Sequence, residues 1–267
     1  MPDLDLELAL RAGVFVAAFA ALALWERLAP ARALRIARAQ RWTANLGLAV
    51  ISTLIVRLVV PGSALALAVI AHREGWGLFN RFELPAPAAF AASVVLLDLV
   101  IYLQHVLFHS VPALIRLHAV HHADPDFDLT TGIRFHPIEI ALSALIKLGA
   151  VAALGAPVAA VLAFEVLLNT TAMFNHANVS LPRWLEPWAR RLLVTPDMHR
   201  VHHSVVAEER NSNYGFCLSI WDRMLGTYVA AARGDLEIGL AGWREKRDIA
   251  TLAGVLRMPF RREASAR

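Results

Sequence analysis

Apolar residues gather into long runs separated by short charged or proline-containing breaks, which is the pattern of membrane spans. The first run, Leu8 to Leu28, follows an acidic opening where a secretory signal would be positive, and no small-residue cleavage site follows it, so it reads as an uncleaved span. A second run, Thr43 to Val60, carries Arg57 near its end, placed to snorkel to the interface, and Pro61-Gly62 breaks it. Ala64 to Ala71 is apolar but short, and residues 73–81 mix charge with aromatics, which predicts an interfacial segment. Pro85 and Pro87 precede a third span, Ala88 to Phe108. Ile138 to Leu168 is interrupted only by Lys147, Gly149, Gly155-Ala156-Pro157 and Glu165, long enough for a helical hairpin that enters the membrane and brings Asn175-His176-Ala177-Asn178 back to the side it left. The predicted fold class is all-α, an integral membrane helical bundle with a histidine-rich cap.

Composition agrees: 57% of the 267 residues are hydrophobic, too many for an ordinary soluble domain. The net charge is +4, but the cations sit beside apolar spans and do not alternate with aromatics. Arg32, Arg35, Arg38 and Arg41 follow the first span; Arg244, Lys246, Arg247, Arg257, Arg261, Arg262 and Arg267 crowd the tail. Such clusters suit anionic headgroups rather than nucleic acid. By the positive-inside rule the first linker is cytoplasmic, and the third span then delivers His105 and His109 to the cytoplasmic side. A single cysteine, Cys217, excludes an intramolecular disulfide, a CxxC motif and an all-cysteine iron–sulfur site, so any metal is bound by nitrogen and oxygen.

Ten of the eleven histidines lie between His105 and His203. Eight form blocks: His105-Val-Leu-Phe-His109, His118-Ala-Val-His121-His122 and His199-Arg-Val-His202-His203. On a helix, positions i, i+3 and i+4 share a face, so each block aims two or three imidazoles one way. Thr195-Pro196-Asp197 has the N-cap and first-turn proline that start the helix carrying the third block. Eight imidazoles exceed what one ion takes, and two metals are the natural count. His136, biased away from helix by Pro137, and His176 stand singly; His72 reads as structural. Imidazole suits several metals, but a polyhistidine site reached through apolar spans suits a lipid with an unactivated C–H bond. Breaking that bond takes a redox metal and O2, so iron is expected, with zinc able to replace it in purified protein. Asp98 lies inside the third span, where an ionisable group is expensive; it either orients a ligand histidine or is satisfied by a neighbouring helix.

The three blocks in this order, with Arg134-Phe135-His136-Pro137-Ile138-Glu139, Asn175-His176 and Trp221-Asp222-Arg223-Met224-Leu225-Gly226-Thr227, resemble the fatty acid hydroxylase/sterol desaturase superfamily of membrane di-iron enzymes over about Asp98 to Thr227. The resemblance implies a cytosolic metal pair held by His105, His109, His118, His121, His122, His199, His202 and His203, with His176 a ninth ligand and His136 a further candidate. No catalytic residue stands apart from these ligands, and Asp98 and Asp222 are candidates to orient them. Where some relatives carry another histidine, four residues before His176, this chain has Ala172, so one metal has fewer nitrogens or takes His136 or water. The implied organisation is N-terminal spans and an interfacial segment over 1–87, the di-iron domain over 88–228 and a basic tail over 229–267.

The implied reaction uses O2 and external electrons to hydroxylate, or desaturate, a sterol, fatty acyl chain or polar lipid, with hydroxylation favoured. No CxxCH, GxGxxG or His-Pro-Gly-Gly motif is present, so electrons come from a separate ferredoxin- or cytochrome-type donor, drawn to the basic face. A metal transporter would place its ligands at mid-membrane on several spans. A zinc hydrolase lacks its HExxH here, and the intact blocks argue against a non-catalytic lipid- or metal-binding protein.

Overall fold

The computed structural model describes residues 4–60 and 62–261; Pro61, the first three residues and Arg262 and Arg267 of the tail cluster lie outside it. Among the described residues the chain is helical throughout, without a strand. Its helices are α1 (Leu4–Leu28), α2 (Arg38–Val59), α3 (Ala64–Arg73), α4 (Leu78–Arg81), α5 (Ala86–Ser110), α6 (Pro112–His122), α7 (Pro137–Leu154), α8 (Val158–Asn175), α9 (Glu186–Leu192) and α10 (Pro196–His202). The shorter α11 (Ala207–Arg210), α12 (Ile220–Met224), α13 (Lys246–Ile249) and α14 (Leu252–Arg257) follow.

Among the described residues, five segments are long and apolar enough to cross a membrane: Ala9–Leu28, Arg38–Arg81, Ala86–Ser110, Pro137–Leu154 and Val158–Asn175. α3 alone rises about 15 Å, half a hydrocarbon core. It folds back into the bundle, burying Ala64, Leu65 and Ala68 with residues of α7 and α8. Local chemistry sets the ends of the long helices. Gly155, in the left-handed conformation at φ 66°, closes α7, and Pro157 then starts α8, which makes the hairpin. Proline occupies the first turn of α5, α6, α7 and α10, where its missing N–H costs nothing, so each histidine-bearing segment has a fixed starting register.

The C-terminal ends of α1, α5 and α8 and the N-terminal ends of α2 and α7 converge on one polar cap. The α1–α2 linker lies against it: Ala31 N donates to Asn178 O at 2.8 Å, and the Arg35 and Ile36 amides donate to the Asp126 carboxylate at 2.8 Å. The linker and the histidine blocks therefore share one side of the bundle. The arginines here do not wait for headgroups, contrary to the sequence expectation. Arg32 donates to Leu236 O, Arg35 pairs with Glu237 and Arg38 with Glu26. Arg41 is fully buried: it bonds Asp124 through Nε (2.8 Å) and Nη2 (2.6 Å), and bonds Asp128 and Thr131 as well. Buried Arg134 donates to Val120 O, Asn45 Oδ1 and Ile249 O.

The described part of the basic tail is also folded onto the cap. Leu240, Trp243, Ile249, Val255 and Met258 form one buried cluster with Ile36, Leu48 and Val120. Its helices are too short to show a hydrophobic period, which is why the segment reads as weakly amphipathic.

Arg41→Met should strand the carboxylates of Asp124 and Asp128 without their buried cation, a loss on the order of 3–5 kcal/mol. Thermal unfolding in detergent should show a marked drop in midpoint, whereas Thr43→Ala on the exposed side of α2 should leave it nearly unchanged.

Candidate metal centre

Nine imidazoles converge in the cap and sort into two groups. His105, His109, His118, His122 and His202 form one, His121, His176, His199 and His203 the other; in each, one nitrogen per ring lies within 4.8 Å of all the rest. The sorting follows helical periodicity within each block. On α6 the i, i+4 pair His118 and His122 serves the first group, while His121, at i+3, serves the second. The α10 block does the reverse: His199 and His203 go to the second group and His202 to the first. Both α5 histidines enter the first group, and His176, at the end of α8, enters the second. The two HxxHH blocks thus straddle both groups and lock them side by side.

Second ring nitrogens fix the tautomers. His105 Nδ1 donates to Tyr214 O (2.7 Å), His202 Nδ1 to Ser212 O (2.7 Å) and His176 Nδ1 to Ala172 O (2.7 Å). His118 Nδ1 donates to Glu139 Oε1 at 2.6 Å, and His109 Nδ1 lies 3.2 Å from Asn211 Oδ1. A ring that donates from Nδ1 to a carbonyl or carboxylate presents a bare lone pair at Nε2. Yet His105 Nε2 and His118 Nε2 face each other at 3.0 Å, and the Nε2 of His176 lies 3.1 Å from those of His121 and His199 and 3.2 Å from that of His203. His202 Nε2 is buried with no hydrogen-bond partner. Opposed lone pairs repel unless a cation stands between them, so the donor set fits metal ions. Burial drives the histidines of the cap well below their usual range, His118 and His176 to about 3, which keeps them in the neutral form that binds metal.

His136 joins neither group. It caps α7, where its Nδ1 accepts from Ile138 N at 3.2 Å and its Nε2 lies 3.3 Å from Leu256 O. Asp98 and Asp222 do not touch the histidines either. Asp98 accepts from Cys217 N, Leu218 N and Trp221 Nε1; Asp222 accepts from Tyr214 N, Gly215 N and Thr227 Oγ1. Asp98 clasps the 211–218 loop to α5 and Asp222 clasps it to α12, and that loop supplies the acceptors for His105, His109 and His202. They act through the backbone.

Glu139 is the carboxylate that does touch a ring, and sequence reasoning passed over its role. The available signal was an acid in the first turn of a long apolar helix, three residues after His136. The polar run Asn211-Ser212-Asn213 directly after the third block was the matching signal for the loop acceptors. Phe135 stacks on His121 at 4.3 Å between ring centroids, and Phe127 packs on His176 and His203, closing the second group with apolar faces. Gly132 makes room behind it, since a Cβ there would lie 2.3 Å from Ala172 O, the acceptor of His176.

A cavity of about 290 Å³ runs into the bundle from this centre, with His105, His118 and Glu139 at its polar end and Phe15, Ile101, Phe108, Ile140 and Leu168 along its walls. The pattern expected for an apolar substrate is therefore present, within a helical membrane bundle.

A family model described as fatty acid hydroxylase matches residues 90–227, just over half of the chain. The chain is 32% identical over 183 residues to the ornithine lipid hydroxylase OlsE of Rhizobium tropici, covering 66% of this chain and 52% of that protein. It is 31% identical over 160 residues to the alkylglycerol monooxygenase of Xenopus tropicalis and 26% identical over 162 residues to that of Homo sapiens, in both cases 58% of this chain and 34% of the relative. It thus spans about half the length of the first relative and about a third of the other two. No solved structure matches. With the family pattern matched across α5 to α12 and the histidines of all three blocks gathered at one centre, the chain belongs to the fatty acid hydroxylase family.

Proposed function

We propose that the chain is a multi-pass membrane oxidoreductase that holds two iron ions and uses O2 and external electrons to hydroxylate a lipid. The observation that carries this reading is that two imidazole groups lie side by side and an apolar cavity ends on one of them, at His105 and His118. When bound there, iron supplies O2 activation sufficient to oxidise an unactivated C–H bond. The protein does the rest. Phe15, Ile101, Phe108 and Leu168 hold an alkyl chain by dispersion and exclude water, while Gln104, bonded to Ser143 at 3.0 Å, is a polar mark in the cavity wall. Glu139 and the carbonyls of Tyr214, Ser212 and Ala172 keep the rings in the ligating tautomer.

The named activities of the relatives, on ornithine lipid and alkylglycerol, favour hydroxylation over desaturation and a polar lipid over a sterol. Five nitrogens serve one ion and four the other, with His136 outside the set. The positive linker shares the side of the centre, which supports a cytoplasmic site. A depression of about 390 Å³ walled by Arg116, Trp243 and Arg261 reaches His122, a basic seat for an acidic ferredoxin- or cytochrome-type donor. Zinc in purified protein would occupy the same nitrogens without supporting turnover.

Lipid mass spectrometry of cells supplied with an electron carrier should show a species that gains one oxygen with the intact protein and not with His202→Ala. A species losing two hydrogens would make the chain a desaturase, and no change despite bound, reducible iron would overturn the reading. Metal analysis should find two ions per chain, still two in His136→Ala, and fewer in His202→Ala. Glu139→Gln should keep the fold but weaken metal retention by about 10–100-fold in a chelator titration, because His118 loses its charged partner.

A further inference from the structure

Far from the cap, the spans carry charges that the metal centre does not use. Lys147 of α7 and Arg11 of α1 both pair with one carboxylate, Glu165 of α8; the Lys147 Nζ bonds Oε1, and Arg11 Nη2 lies 3.0 Å from Oε2. Glu165 is buried. Arg57 of α2 faces the same space and, among the described residues, has no ion-pair partner. Among the described side chains, three cations face one carboxylate and leave a net positive charge within membrane-spanning helices, where an unbalanced ion is costly and marks a functional site.

These residues line a second, open cavity of about 710 Å³. Its wall shares Phe15, Thr53, Ile140 and Asn169 with the cavity that ends at His105 and His118, so the two cavities adjoin at those residues. The N-terminal end of α3, positive by its peptide dipoles, also opens on this space through Ser63, Ala64 and Leu65. Along α7, Lys147 stands about 12 Å beyond Glu139, the partner of His118. An alkyl chain in the inner cavity would therefore have its polar end beside the cations.

We propose that Arg11, Arg57 and Lys147 form a seat for an anionic group, a phosphate or carboxylate, at the end of the lipid substrate remote from the metal centre. This rests on the lipid-oxidation reading and names its substrate class: a lipid whose oxidised carbon lies at a set distance from an anionic group. Arg11 and Lys147 stay tethered by Glu165, while Arg57 supplies the cation free to close on the ligand.

The test is native mass spectrometry of the full chain in dodecyl maltoside with dioleoyl phosphatidate, dioleoylglycerol and inorganic phosphate. Phosphatidate should be retained about tenfold better than dioleoylglycerol, Arg57→Gln should abolish that preference and Arg57→Lys restore most of it, the scale of one hydrogen bond to a charged group. Equal retention of the two lipids, or an unchanged preference in Arg57→Gln, would overturn the proposal. Displacement of phosphatidate by inorganic phosphate at similar concentration would also overturn it, since the seat would then recognise the free ion. Binding is read without turnover. An inactive protein that still discriminates would remove the oxidation reading alone, and an active one that does not would remove only this seat.

Discussion

Nine neutral imidazoles pointed nitrogen to nitrogen in a buried space repel one another, and much of the cap can be understood as the means of holding them there. Each lone pair facing inward has lost water, and the contacts near 3 Å between Nε2 atoms give it no donor in return. Rings left to themselves would flip or titrate. They are prevented by acceptors on the other side: Tyr214 O, Ser212 O, Ala172 O and Glu139 each claim an Nδ1–H and thereby fix which nitrogen faces the centre.

That demand propagates outward. A carbonyl orients a ring only if its own backbone is fixed, and the 211–218 loop has little regular structure to fix it. Asp98 and Asp222 perform this task from two sides, with five backbone amides or side-chain donors between them directed from that loop and from α12. Tyr102 OH bonds Thr227 Oγ1 at 2.7 Å, tying the end of the same segment to α5. On the opposite flank, Arg41 gathers Asp124 and Asp128, so the loop after α6 cannot drift from α2. An acid within an apolar span thus serves a metal centre it does not touch.

The helical bundle was legible because spans announce themselves by length and hydropathy, and the predicted spans fall on helices whose ends differ by a few residues. The histidine blocks were legible because 3.6-residue periodicity makes HxxxH and HxxHH one-faced. Their division between two groups was not, since it depends on how α6 and α10 face each other across the centre, a tertiary relation. His136 illustrates the limit from the other side. By residue type it is a ligand candidate, but the proline that follows turns it into a helix cap, and both its nitrogens point at backbone. The arginines of the first linker misled for a related reason: clustered cations beside a span read as headgroup contacts, whereas the acids that claim them lie more than eighty residues away in sequence, apart from Glu26.

Ala172 joins the centre to the cavity. It stands one helical turn before His176, the position at which the family resemblance implies a further histidine in some members; here its carbonyl orients His176, and its small side chain lies in the cavity wall beside Gly132. His136 is held by α7 and the tail and does not replace the missing nitrogen. The cavity reaches the centre through the five-nitrogen group, at His105 and His118, and no bulky ring stands at residue 172 in its wall. An imidazole there would add a nitrogen and fill part of the cavity. A small residue at this position therefore gives the cavity space where a tenth nitrogen would otherwise stand.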